Sequence, residues 1–190
     1  MVEIYNTRID EVKVLYPKVF EDNRGSFMEL YNYRALMENG IVHKFVQDNL
    51  STSKQWVLRG VHTQIKHPQA KLITCLHGAI FDVAVDCRTT SPTFGKWYGE
   101  TLSADNHKQI YLPAGVAHGY FALEDSTVYM KVDTHYTPGD EIGFRWDDVE
   151  VGVKWPIPEG INPIFADKDI HWKCFREMIA DLTTLRNNQE

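Results

Sequence analysis

Three short stretches carry residue types that can move a proton or hold a charged ligand. Val57-Leu-Arg-Gly-Val-His-Thr-Gln64 brings Arg59, His62 and Gln64 close together. In a regular strand alternate side chains face opposite ways, so Arg59 would be separated from both His62 and Gln64. Gly60 offers a bulge that would bring them onto one face. Leu112-Pro-Ala-Gly-Val-Ala-His-Gly119 puts Pro113 and Gly115 in a turn, with His118 entering the following strand. Phe45-Val-Gln-Asp-Asn-Leu-Ser51 supplies amide and hydroxyl groups between apolar neighbours. Imidazole titrates near neutrality, so His62 and His118, each following a glycine-bearing turn, are the candidates for acid–base work.

Plainer readings apply to the rest. A lone histidine in a β protein is usually a surface or satisfied core residue, which covers His43, His67, His77, His107, His135 and His171. Arginines such as Arg24 and Arg59 more often serve ion pairs than ligands, and Lys71 would ordinarily be a solvated strand end. His62 and His118 could be two metal ligands, but such sites add a second histidine two residues on and then a carboxylate. Gln64 occupies that place and no Glu follows nearby. A metal-free site is therefore expected.

The elements that must position these residues read as β. Lys71–His77, Gly78 and Ala79–Asp86 look like two strands joined at a glycine turn. In the second, Phe81, Val83 and Val85 alternate with Asp82, Ala84 and Asp86, giving an apolar and a more polar face. Further short strands fit Trp97–Leu102, Gln109–Leu112, His118–Leu123 and Thr127–Asp133. Many closely spaced short strands predict an all-β sandwich or barrel. Tyr31–Asn39 reads as a helix stopped by Gly40. Phe175, Met178, Ile179, Leu182 and Leu185 form a stripe down one face of a C-terminal helix within about 173–186. Asn187 to Glu190 are expected to fray. No linker or repeat divides residues 1–190, so one domain is expected.

The composition excludes several classes. With 43% hydrophobic and 24% charged residues the chain is globular. Its net charge of −6 argues against nucleic acid as a partner. No apolar run approaches the roughly 20 residues that span a bilayer. Met1 to Asp10 lack the layout of a secretion signal, and Cys75, Cys87 and Cys174 lack paired metal spacing. A cytoplasmic location is expected.

Taken in order, the motifs resemble the dTDP-4-dehydrorhamnose 3,5-epimerase family from about Val19 to Asp169. The likeness rests on Phe20-Glu-Asp-Asn-Arg-Gly25 with Glu29, Gln47-Asp-Asn-Leu-Ser51, Val57-Leu-Arg-Gly-Val-His62 and Gln69-Ala-Lys71. It continues through Phe81–Asp86, Ser91–Gly95, Leu102–Ala104, Pro113–Gly119, Arg145–Asp148, Trp155-Pro156 and Asp167-Lys-Asp169. The resemblance implies a jelly-roll (cupin) sandwich and a homodimer that exchanges an N-terminal strand. It also implies a nucleotide-linked 4-keto-6-deoxy sugar as substrate and no cofactor. By position His62 resembles the general base and Asp169 the carboxylate that orients it, while Lys71 and Arg59 match residues that stabilise an enolate. Arg24 and Glu29, reaching over from the partner subunit in relatives, match substrate contacts, as do Gln47 and Asn49. Tyr136 falls where an aromatic residue lies near the nucleotide base, and His118 matches a residue lining the cavity.

The chemistry is consistent with those roles. A hydrogen beside a ketone has a pKa of roughly 19 against about 6.5 for imidazole, a gap on the order of 16 kcal/mol. A base alone cannot close it, whereas cationic donors at the developing enolate oxygen supply several kcal/mol each. The chain departs from the family at Met130, where relatives carry the tyrosine that returns a proton to the opposite face. A thioether has no proton to give. Tyr129 is adjacent but should face the other way. The expectation is thus an epimerase restricted or altered in scope, with C3-only inversion preferred because the tyrosine serves mainly the C5 step. Competing readings are a keto-isomerase or another single-site epimerase, a silent sugar-nucleotide-binding module, and a metal-dependent oxygenase that Gln64 disfavours.

Overall fold

The computed structural model describes residues 2–187; apart from the Asn187 backbone, the tail expected to fray lies outside the described residues. The chain begins with the antiparallel pair β1 (Val2–Asn6) and β2 (Lys13–Pro17) and a hairpin of β3 (Val19–Asp22) and β4 (Gly25–Met28). Helix α1 (Tyr33–Glu38) leads into β5 (Gln47–Ser53), β6 (Leu58–Gln64), β7 (Lys71–His77) and β8 (Ala79–Asp86). β9 (Trp97–Ser103), β10 (Gln109–Leu112), β11 (Val116–Ala122), β12 (Ser126–Val132) and β13 (Glu141–Gly143) follow, then α2 (Asp167–Ile170) and α3 (Phe175–Asn187). Two antiparallel sheets result, ordered β1-β2-β10-β7-β12-β5 and β13-β6-β11-β8-β9. They face one another as the sandwich the sequence predicts, with the β3–β4 hairpin outside both.

Alternation decides what each face meets. Ile73 and Cys75 of β7, Val128 of β12, Ile80 and Ala84 of β8 and Tyr120 of β11 pack together between the sheets. Val83 and Val85, the apolar face of β8, point the other way and lie under Phe175, Met178 and Leu182 of α3. Each such side chain contributes roughly 1.5–3 kcal/mol when withdrawn from water. The α3 stripe ends a turn earlier than its sequence pattern, because Leu185 is exposed. A third cluster, Leu15, Leu36, Ile41, Leu72 and Tyr111, seals the outer face of the first sheet beneath α1. The Asn32 side chain caps α1 by accepting from the Ala35 amide at 3.2 Å. Gly78 joins β7 to β8 at φ +67, where a Cβ would lie 2.2 Å from the Asp125 carbonyl oxygen. Among the described residues no helix is long and apolar enough to cross a membrane.

Candidate active site

The stretch containing Arg59 and His62 folds as β6, and its irregularity decides the site. Tyr120 of β11 pairs with Arg59 and His118 with His62. One residue, Gly119, thus faces two, Gly60 and Val61, which is a bulge. Tyr120 and His118 share the inner face of β11, so Arg59 and His62 share the inner face of β6. Two glycines make this possible. A Cβ on Gly60 (φ +93) would lie 2.5 Å from the His118 carbonyl oxygen, and one on Gly119 would lie 2.8 Å from that of Arg59. Val61, the extra residue, turns outward into the α3 cluster.

The first sheet contributes Lys71 opposite. Its place in β7 alternates with Ile73 and Cys75, so it points between the sheets and is 2% exposed. The solvated strand end that its sequence position suggests is not what forms. Its Nζ donates to Gln64 Oε1 at 3.0 Å and to the Gln69 carbonyl at 3.3 Å. Gln64 stands two residues beyond His62 on the same face and bridges the sheets. Burial pushes the Lys71 pKa down to about 8, against the pull of Asp133 and Glu141. Burial also pushes His62 down to about 4, with His118, Lys71 and Lys168 adding to the shift and Glu141 opposing it. At neutral pH the pair is a neutral imidazole beside a mostly protonated ammonium.

His118 is also buried, and its Nε2 lies 2.7 Å from Asp82 Oδ2. Asp82 is the polar residue whose alternation in β8 marked a second face, and that face lines the interior. Arg59 is held by its own neighbours, Nε to Ser53 Oγ at 3.0 Å and Nη2 to the Thr52 carbonyl at 2.9 Å. Met130 pairs with Asn49 of β5 and Ile73 of β7 and packs against the core between the sheets. Tyr129 faces the other way, its hydroxyl donating to Asp48 Oδ2 at 3.0 Å. Gln47 donates to Asn49 Oδ1 at 2.7 Å and accepts from the Tyr136 amide at 2.9 Å, while the Tyr136 ring is exposed.

Arg24 and Glu29 lie elsewhere on this chain, Arg24 at the exposed tip of the β3–β4 hairpin paired with Asp22 and Glu29 exposed just after β4. Asp169, on α2, is buried; its Oδ1 accepts from Trp172 Nε1 at 3.2 Å, and the Gly60 amide also faces it. Burial raises the Asp169 pKa above the ordinary carboxylate range. The carboxylate nearest the His62 ring in the described structure is Glu141, its Oε1 3.4 Å from Nδ1. Sequence reasoning missed Glu141, which sits beside the turn cluster Thr137-Pro-Gly-Asp140 and carries no local signal. It missed the Asp82 pairing too, though a carboxylate within an apolar strand is a usable signal. Among the described residues no three His, Cys, Asp or Glu side chains are grouped to hold a metal.

Residues 6–177 match the family model described as dTDP-4-dehydrorhamnose 3,5-epimerase. The chain is 43% identical to the dTDP-4-dehydrorhamnose 3,5-epimerase of Escherichia coli, over 94% of this chain and 97% of that protein. It superposes with a TM-score of 0.91 on a crystal structure of dTDP-6-deoxy-D-glucose-3,5-epimerase from Legionella pneumophila in complex with dTDP-4-keto-L-rhamnose. That match has 39% identity and covers 96% and 97% of the two chains. A 3'-monoepimerase from Streptomyces bikiniensis in complex with dTDP-quinovose matches with a TM-score of 0.83 and 27% identity, over 96% and 95%.

Proposed function

The chain belongs to the dTDP-4-dehydrorhamnose 3,5-epimerase family of isomerases, and from that premise we propose that it inverts carbon 3 of a nucleotide-linked 4-keto-6-deoxy sugar. The observation that carries the reading is that His62 of one sheet and the buried Lys71 of the other both face the interior of the sandwich. His62 removes the hydrogen from the carbon beside the ketone, and the bonding pair moves onto the ketone oxygen as an enolate. Lys71 donates to that oxygen, and Arg59 adds positive charge nearby. Asp169 steadies the imidazole indirectly, by holding Gly60 and Trp172. His118 lines the cavity, and Gln47, Asn49 and Tyr136 contact the nucleotide sugar.

Collapse of the enolate takes a proton on the opposite face. Met130 has none to give and Tyr129 is turned out to Asp48, so water supplies it, and the inversion is confined to C3. A monoepimerase relative shares this scaffold, so inversion of a single centre is within the scaffold's reach. Incubation with dTDP-, GDP-, UDP- and CDP-linked 4-keto-6-deoxy sugars, with NMR of the products, tests the reading. A C3 epimer from one of them supports it, and inversion of both carbons refutes the C3 restriction. Tight binding with no product from any nucleotide favours a silent binding module and sinks the reading.

The hairpin supports a dimer. Phe20 and Phe27 on β3–β4 are 51% and 71% exposed, and an isolated two-stranded ribbon is marginal alone. Docked on a second copy, it would bury both rings and carry Arg24 and Glu29 to the partner's site. Three unpaired thiols, two of them buried, fit a reducing, cytoplasmic setting.

Two outcomes follow. Met130→Tyr restores a hydroxyl on the inner face, so the ratio of C5 to C3 inversion rises; an unchanged ratio in the product NMR counts against a missing acid. The second concerns pH. kcat/KM reports groups of the free enzyme. It should rise through about 4 as His62 loses its proton and fall through about 8 as Lys71 loses its own. A profile flat from pH 6 to 10 would contradict the Lys71 assignment.

A further inference from the structure

The face of α3 that packs on the second sheet does not pass through Leu185. Phe175, Met178 and Leu182 are buried and Leu185 is exposed, so the next place on that face, four residues after Leu182, falls to the half-buried Arg186. Its Nε donates to the Ile65 carbonyl at 2.9 Å and its Nη2 to the Gln64 carbonyl at 3.1 Å. The Gln64 side chain in turn accepts from Lys71 Nζ at 3.0 Å. We propose that Arg186 is a positioning residue for Lys71: by clamping the end of β6 from α3, it holds Gln64 in place as the acceptor that fixes the ammonium. This rests on the reading of Lys71 as the donor to the enolate oxygen.

The end of β6 has few other supports. It pairs with β11 only as far as His62, so at Gln64 its strand neighbour is the three-residue β13. The turn that follows is held by its amides: Ile65 donates to the Asp140 carbonyl at 3.0 Å, and Lys66 and His67 to the Asp140 carboxylate at 2.7 and 2.9 Å. Arg186 takes the carbonyls. Without it they would turn toward water to find donors, and the Gln64 side chain would move with them. Burial lowers the Arg186 pKa against the pull of Cys87 and Asp140, but a guanidinium stays protonated across the working range, so the clamp itself does not titrate. Lys71 is faced by His62 and Gln64 from β6, by Asp133 just beyond β12 and by Glu141 from β13. The two carboxylates favour its charge through the field, while Gln64 and the Gln69 carbonyl bond the ammonium directly. A hydrogen bond made to the charged form favours that form, so losing Gln64 lowers the Lys71 pKa.

The test compares Arg186→Met, Gln64→Leu, the double variant and Lys71→Met with the parent protein. It uses turnover of whichever 4-keto-6-deoxy nucleotide sugar the substrate panel identifies, and ¹³C NMR titration of the lysine Cε atoms without substrate, with Lys71→Met assigning the Lys71 signal. Arg186→Met should lower kcat about fivefold with KM changed less than about twofold. It should also lower the Lys71 pKa by about 0.5 and move the alkaline limb of kcat/KM to lower pH by the same amount. Gln64→Leu should do both more strongly. Adding Arg186→Met to it should change neither reading further, because Arg186 acts through Gln64. A parental Lys71 pKa and kcat in Arg186→Met would overturn the proposal, as would effects that add in the double variant. So would lower stability with activity lost only in proportion. If Lys71→Met turns over at the parental rate, the reading of Lys71 fails instead. An Arg186→Met protein that does not fold leaves Arg186→Gln, too short to reach both carbonyls, to decide: a parental Lys71 pKa and kcat there overturns the proposal.

Discussion

His62→Ala is expected to lower turnover at least about a thousandfold while changing affinity for the nucleotide sugar by less than about threefold. The asymmetry follows from where the ring stands. In the proposed mechanism the ring meets the reacting carbon, whereas the nucleotide sugar is held by other residues. No neighbour can replace it. The other histidine of the inner face, His118, has its Nε2 committed to Asp82, and Lys71 is mostly protonated at neutral pH. Stopped-time product assays with direct binding measurements check this. Turnover within tenfold of the parent would place the base elsewhere.

Lys71→Met should lose about 10²–10³ in kcat, the usual cost of removing one donor from a developing oxyanion. The same change should stabilise the fold. The folded pKa, about 8, lies below the usual 10.5, so the ammonium is disfavoured in the native state. That cost is fully present below pH 8 and disappears above about 10.5. At pH 7 it is about 3 kcal/mol, which methionine, with a similar stem and no charge, removes. A structural lysine would show the reverse, lower stability with activity lost only in proportion. Denaturant unfolding beside kcat separates the two. A stabilised protein with reduced activity is the pattern expected where a site carries strain for its function.

The sequence made the central strands legible for a local reason. β7, β8, β10, β11 and β12 are short and bounded by turns, and their boundaries emerge within two residues of those read from the pattern. Strands β1 to β4 carry no clear local pattern, because the burial of β1 and β2 is set by partners distant in the chain and β3–β4 pair only with each other, outside both large sheets. The Arg59–Gly60–His62 irregularity was legible because glycine within a strand pattern signals a bulge. The burial of Lys71 was not: at a strand end the sequence cannot say whether the opposite sheet closes over it. Glu141 was hidden for a similar reason. It reaches His62 through a three-residue strand formed only by pairing with β6, so nothing near it in sequence marks it.

The identity of the base is tested most directly by isotope. Parent protein and His62→Ala are each incubated in D₂O with the nucleotide sugar that turns over, and the recovered sugar is read by NMR and mass. The account predicts one deuterium at C3 with the parent and none with the variant. Deuterium at C3 in both, or an inverted C3 still bearing its original hydrogen, would contradict it.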